Sequence, residues 1–109
     1  MFVSVCIIAY NEEKALPSLL SDIAKQTYSH KDMEVVLVDS MSTDKTKEIM
    51  TNFATQNNDF KRVIVKDNPK RKQASGWNIA INASNGDVII RIDAHTMIPE
   101  DFVEKNVHV

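Results

Sequence analysis

Glycine is almost missing. Gly76 and Gly86 are the only two in 109 residues. That excludes the G-x-G-x-x-G and G-x-x-x-x-G-K-[ST] cradles, so a phosphate bound here has to be met by cations rather than by a glycine-rich backbone loop. Cysteine is scarce too: Cys6 alone cannot build an internal disulfide framework. It lies inside an apolar run and reads as core packing. Neither sign of charge dominates. Thirteen Lys and Arg stand against 15 Asp and Glu, a net −2, which is no footprint for nucleic acid or an anionic membrane. No long apolar run is present. The stretch from Val5 to Tyr10 is far short of the roughly 20 residues that a membrane helix needs. With no secretory signal pattern either, the chain is expected in the cytoplasm.

What is present is an alternation. Hydrophobic residues make up 43% of the chain, enough for one core. Val3–Ala9 reads as a strand. Asn11-Glu12-Glu13 is expected to open a helix carried by Leu16, Leu19, Leu20 and Ile23. Pro17 falls early in it, so the first turn is irregular or the helix starts nearer Leu16. Met33–Asp39 is a second strand, followed by a loop in which Ser42 or Thr43 is the expected N-cap. A helix then runs from Thr46 to about Asn57. Val63-Ile64-Val65 is a third strand. After Lys70-Arg71-Lys72 a helix holds Ala74, Trp77 and Ile81, with Trp77 on its apolar stripe. Val88–Ile92 is a fourth strand, and Pro99 begins a last helix. The chain stops at Val109 after roughly two to three turns of that helix, so it reads as a fragment of a longer protein. His30 and His108 read as surface residues.

The order β-α-β-α-β-α-β-α predicts an α/β fold with right-handed crossovers and helices on both sheet faces. In such sheets ligands bind at the carboxyl ends of the strands, where strand order reverses. Three strand ends carry polar residues: Ala9-Tyr10-Asn11-Glu12, Asp39, and Asp93-Ala94-His95. Asp93 and His95 are expected to face a metal and a nucleotide diphosphate; the plainer alternative is that Asp93 caps a turn. Asp39 binds a base or caps the next helix. Glu12 touches nucleotide or favours a helix start. Tyr10 stacks or is merely exposed. Among the basic run, Lys72 is the expected contact, against a solvated face as the alternative. A hard cation wants carboxylate oxygens and can bridge two phosphates. An imidazole in the set suits manganese better than magnesium.

Val3 to Glu13, then Glu34 to Asp44, then Asn85-Gly86-Asp87 leading to Asp93-Ala94-His95, resemble the family 2 glycosyltransferases over essentially the whole chain. Arg91 and the Asp-Ala-His ending are most similar to a branch acting in bacterial exopolysaccharide synthesis of the succinoglycan type. The resemblance implies a Rossmann-like, mostly parallel sheet flanked by helices, of the A-type nucleotide-diphospho-sugar transferase fold. Residues 1–109 would be its N-terminal nucleotide-sugar-binding part, without the acceptor-binding part. It implies an inverting transfer from a nucleotide-diphosphate sugar, a UDP-sugar foremost, to a saccharide or lipid-linked acceptor. Ala9, Tyr10 and Glu12 would line the base and ribose pocket. Asp39 would contact the base. Asp93 would touch ribose and diphosphate, and Asp93 with His95 the metal, Mn or Mg. The catalytic base would lie beyond residue 109, so the chain alone is expected to bind nucleotide weakly or not at all and to transfer no sugar. Membrane contact, at the inner face, would come only through other regions.

Two departures stand out. Asp39-Ser40-Met41-Ser42 replaces the family's Asp-Asp-Gly-Ser, so that loop is expected to fold differently. His95 replaces the last acid of Asp-x-Asp and brings no negative charge. A reading of another class is a receiver-like signalling module with Asp39 as phospho-acceptor, for which Asn11-Glu12-Glu13 fits loosely and a strand-ending lysine is missing. A third is a folded fragment without retained activity.

Overall fold

The computed structural model describes residues 1–107; His108, expected at the surface, lies outside the described residues. Four strands, β1 (Val3–Ala9), β2 (Met33–Asp39), β3 (Arg62–Asp67) and β4 (Val88–Asp93), alternate with α1 (Leu16–Ala24), α2 (Thr46–Gln56), α3 (Gln73–Ala83) and α4 (Phe102–Val107). All neighbouring strands are parallel, in the order β3-β2-β1-β4. β1 and β2 are buried along nearly their whole length, as their unbroken apolar runs require when both faces are covered. Residues alternate between two cores. Val5, Ile7, Val35 and Leu37 pack with Leu16, Leu19, Ile23, Met50 and Phe53 on the α1/α2 side. Cys6, Val36 and Val38 pack with Ala80 on the α3 side. Burial also pushes the Cys6 thiol up from its ordinary pKa.

The chain steps from β1 to β2 to β3 and then returns past β1 to β4. Strand order therefore reverses beside β1, and the carboxyl ends of β1 and β4 frame the crevice that such a reversal opens. At the opposite rim a buried acid ties the sheet together. Glu34 is fully buried. It accepts hydrogen bonds from Ser4 Oγ (2.5 Å), Arg62 Nε (2.6 Å) and the Asn85 N–H (2.6 Å). Burial pushes its carboxyl up, but the Arg62, Ser4 and Asn85 donors outweigh that and hold it below the usual glutamate range. Gly86 sits in the same knot. A Cβ there would lie 2.5 Å from Ser4 Oγ and 2.6 Å from its backbone nitrogen, which explains one of the two glycines.

Several boundaries differ from the expected ones, each for a local reason. Asn11-Glu12-Glu13 does not open α1. Their N–H groups donate to Ser42 Oγ (2.9 Å), Thr46 Oγ1 (2.8 Å) and Asp44 Oδ2 (3.3 Å), so they clasp the loop after β2. The helix starts at Leu16 with Pro17 in its first turn, where a missing N–H costs nothing. Neither Ser42 nor Thr43 caps α2, because both are engaged by Asn11. Asp44 Oδ1 instead accepts the Thr46 N–H at 2.9 Å. β3 extends to the polar Arg62, Lys66 and Asp67, whose backbones pair with β2. β4 includes Asp93, one residue beyond the apolar run. α4 begins at Phe102 rather than Pro99, whose carbonyl accepts Gln26 Nε2 at 2.7 Å. His30 is not a bare surface residue. Its ring stacks on Phe60 with centroids 4.3 Å apart, and Nδ1 meets Asp59 Oδ2 at 2.5 Å.

Candidate donor-binding site

Parallel register fixes where the strand-end residues go. Ala9 pairs with Asp39, and Ile8 with Asp93, so both aspartates flank the end of β1 on one rim. Their environments differ. Asp39 is 3% exposed. Its carboxylate accepts the Ser42 N–H, at 3.2 Å to Oδ2 and 3.4 Å to Oδ1. Asp93 is exposed. The turn after it is closed by its backbone carbonyl, which accepts the Thr96 N–H at 3.0 Å. Its carboxylate is left facing outward, and it lines three adjoining hollows.

The first hollow, about 340 Å³, lies between the β1 and β4 ends and is lined by Ala9, Tyr10, Glu12, Asp93 and His95. The second, about 230 Å³, shares Ala9, Tyr10 and Asp93 and adds Ser40, Arg71 and Trp77. The third, about 670 Å³, runs between α3 and β4. Tyr10 is 49% exposed, free to offer a ring face to a planar ligand. Of the expected contacts, the structure thus brings together Ala9, Tyr10, Glu12, Asp93 and His95. Asp39 is buried and lines none of the three hollows, whereas its neighbour Ser40 lines the second. Lys72 lies exposed at the start of α3.

Arg71 was not singled out from the basic run, yet it is the cation in the wall of the second hollow. Arg71 has φ 61°, in the left-handed region of the backbone map. Asn11 (φ 50°) and Met41 (φ 62°) share that region. One such residue follows each of β1, β2 and β3. Strained backbone of this kind costs roughly 1–3 kcal/mol per residue and clusters at functional loops. Met41 has the left-handed backbone that glycine adopts most readily.

Trp77 is not simply core. It is half-buried, packs on the α3-side cluster, and lines two of the hollows. Asn78 lines the large one.

Glu12 Oε2 and His95 Nδ1 form a pair across the first hollow. The Oε2 atom is buried, with no hydrogen-bond donor beyond that imidazole contact among the described residues. No cluster of three or more His, Cys, Asp or Glu side chains is disposed to hold a metal among them. The donors present, an outward carboxylate on Asp93, the His95 imidazole and the Glu12 carboxylate, fit a divalent cation that takes one or two protein ligands and completes its shell with phosphate oxygens and water.

Residues 4–108 match the family described as Glycosyl transferase family 2.

The chain belongs to glycosyl transferase family 2.

Its family 2 relatives include the dolichyl N-acetyl-alpha-D-glucosaminyl phosphate 3-beta-D-2,3-diacetamido-2,3-dideoxy-beta-D-glucuronosyltransferase of Methanococcus voltae, 33% identical over 97% of this chain and 33% of that protein. The succinoglycan biosynthesis protein ExoA of Rhizobium meliloti is 34% identical over 93% of this chain and 30% of that protein. Among solved structures, Staphylococcus aureus TarS residues 1–349 superposes with a TM-score of 0.88 at 26% identity, covering 99% of this chain and 32% of that one. TarS is also known in complex with UDP and with UDP-GlcNAc. The mannosyltransferase PcManGT of Pyrobaculum calidifontis, in complex with GDP-Man and Mn2+, gives a TM-score of 0.81 at 31% identity over 89% of this chain and 28% of that one. The chain spans about a third of the length of these relatives. The fold is therefore the expected A-type nucleotide-sugar transferase fold, and the likeness to the succinoglycan branch stands. The receiver-like alternative gains nothing: Asp39 is buried and engaged by the Ser42 N–H. No described helix is long and apolar enough to cross a membrane.

Proposed function

We propose that residues 1–109 are the donor-binding part of an inverting glycosyltransferase that moves a sugar from a UDP-sugar to a saccharide or lipid-linked acceptor in cell-surface or exopolysaccharide synthesis. The observation that carries this reading is the position of Asp93, an outward carboxylate where three hollows meet at the strand-order reversal. Tyr10 and Ala9 take the base and ribose, with Asp39 shaping the floor through the loop it holds. Glu12 lines the ribose side. Arg71, and Lys72 at longer range, offset phosphate charge. Asp93 and His95 hold a divalent cation, Mn or Mg.

The reaction is a single displacement. The acceptor oxygen bonds to the anomeric carbon as the bond to the diphosphate breaks, which inverts the centre. A divalent cation, when bound, offsets the charge gained by the departing diphosphate. The chain's own part is to orient the diphosphate and to place fixed charge beside it. The acceptor proton goes to a carboxylate base that we place outside these residues, because Glu12 and Asp93 are both on the donor side. The protein would act at the cytoplasmic face of the membrane, touching it only through other regions.

The test is calorimetric titration of the chain with UDP in the presence of Mn2+, repeated with Asp93→Asn. Manganese-dependent UDP binding that the substitution weakens by about tenfold or more, with an unchanged thermal melt, supports the reading. Equal binding by the two proteins removes Asp93 from the site. Phosphorylation of Asp39 by acetyl phosphate would instead favour a signalling module.

A further inference from the structure

The third hollow, between α3 and β4, lies beside the proposed nucleotide rim rather than in it. Arg91 and Asp93 are two apart on β4 and so look to the same side of the sheet. Both line the space of about 670 Å³ that α3 walls with Gln73, Trp77 and Asn78. The guanidinium carbon of Arg91 lies 5.0 Å from the centre of the Trp77 ring. Arg91 is exposed, and none of the ion pairs among the described residues engages it. Trp77 is anchored on its inner side by the α3 layer. A fixed aromatic plate therefore holds a cation, with no ion-pair contact among the described residues, in the wall of a cavity that Asp93 also lines. Side-chain amides flank it.

These fittings name a ligand chemistry. Amides read hydroxyl groups. A guanidinium steadied over a ring and unpaired keeps N–H donors for a planar, bidentate anion, for which a carboxylate is the match. A sugar joined to a diphosphate at Asp93 has this hollow as its neighbour. We propose that Arg91, steadied by Trp77, selects donors whose sugar carries a carboxylate, and that the space between α3 and β4 is the subsite for such uronate-type nucleotide sugars. The proposal rests on the donor-binding reading above.

Trp77 is the sole tryptophan of the chain, so its fluorescence reports on this hollow. The experiment titrates the chain, in Mg2+, with UDP, UDP-glucose and UDP-glucuronate, and repeats the series with R91M and R91K. UDP-glucuronate is expected to bind about tenfold tighter than UDP-glucose. In R91M the two sugars become equal to within about twofold, and R91K keeps part of the preference, because it keeps the charge but not the fork. Circular-dichroism melts establish that both variants are folded. Equal affinities in the parent chain overturn the proposal, as does a preference that survives in R91M. An equal fall for all three ligands in R91M assigns the guanidinium to the diphosphate and also overturns it. UDP binding without sugar selection defeats this proposal alone. Failure of every ligand to bind at millimolar concentration, in Mn2+ as in Mg2+, defeats the donor-binding reading and the proposal with it.

Discussion

Glu12 and His95 reach toward each other from the loops after β1 and β4, and their side chains pair across the mouth of the first hollow. In the proposed site the imidazole would supply a nitrogen ligand and no charge. Hard ions that favour oxygen gain less from such a ligand than borderline ions do. His95→Asp is expected to shift the ion preference for UDP binding from Mn2+ toward Mg2+ by about tenfold, read as the ratio of affinities in calorimetry with each ion. An unchanged ratio would remove His95 from the cation's surroundings.

The basic run gives a paired comparison. Arg71 lines the second hollow and Lys72 begins α3 in solvent. Arg71→Ala is expected to weaken UDP binding by about 1.5–3 kcal/mol, the range for a hydrogen bond to a charged group. Lys72→Ala is expected to change it by less than about 1 kcal/mol, as exposed charges do. Calorimetry on the two variants decides between them, and the reverse order would restore Lys72 as the main contact.

Glu34 makes stability depend on pH. Its folded carboxyl is held below the ordinary value of 4.5 by Arg62, Ser4 and Asn85 acting against burial. The stability it contributes is therefore complete above the unfolded value and is lost as pH falls through the folded one. Glu34→Gln should flatten the acid limb of the melting-temperature profile below about pH 4.5. It should also cost about 1.5–3 kcal/mol near pH 7, because the still-charged Arg62 then faces an uncharged amide instead of a carboxylate. An acid limb identical in both proteins would mean that other carboxylates set it.

Met41 tests the strained loops. Its φ of 62° is left-handed and its side chain is 38% exposed. Met41→Gly relieves roughly 1–2 kcal/mol of backbone strain and returns about 0.5–1 kcal/mol as chain entropy. A net gain of up to about 1.5 kcal/mol is expected, measured by urea unfolding at constant m-value. A loss of stability would show that the Met41 side chain makes up for its backbone.

Much of this was legible because the buried strands are unbroken apolar runs. Val3–Ala9 and Val88–Ile92 read as strands, and their register then forces Ala9, Asp39 and Asp93 onto one rim. The helix starts were harder. Asn11, Ser42 and Thr43 look like caps in isolation, and only the approach of two loops distant in sequence engages them with each other. Arg71 could not be told from Lys70 and Lys72 by composition. A left-handed residue that is neither glycine nor asparagine leaves no sequence signal, and Arg71 is such a residue. Trp77 fitted the apolar stripe of α3, and the cation across from it comes from a strand that periodicity does not align with that helix.

β4 is the last strand among the described residues, yet it docks against the first, with Val3 facing Val88. Such long-range pairings form slowly. The β1, β2 and β3 layer can assemble beforehand, but it then has Ala9 and Asp39 beside an open margin. A nascent polypeptide that ends before Val88 has two of the rim's walls and no crevice between them, so ligand-linked protection against proteolysis is expected to arise in one step, when β4 joins.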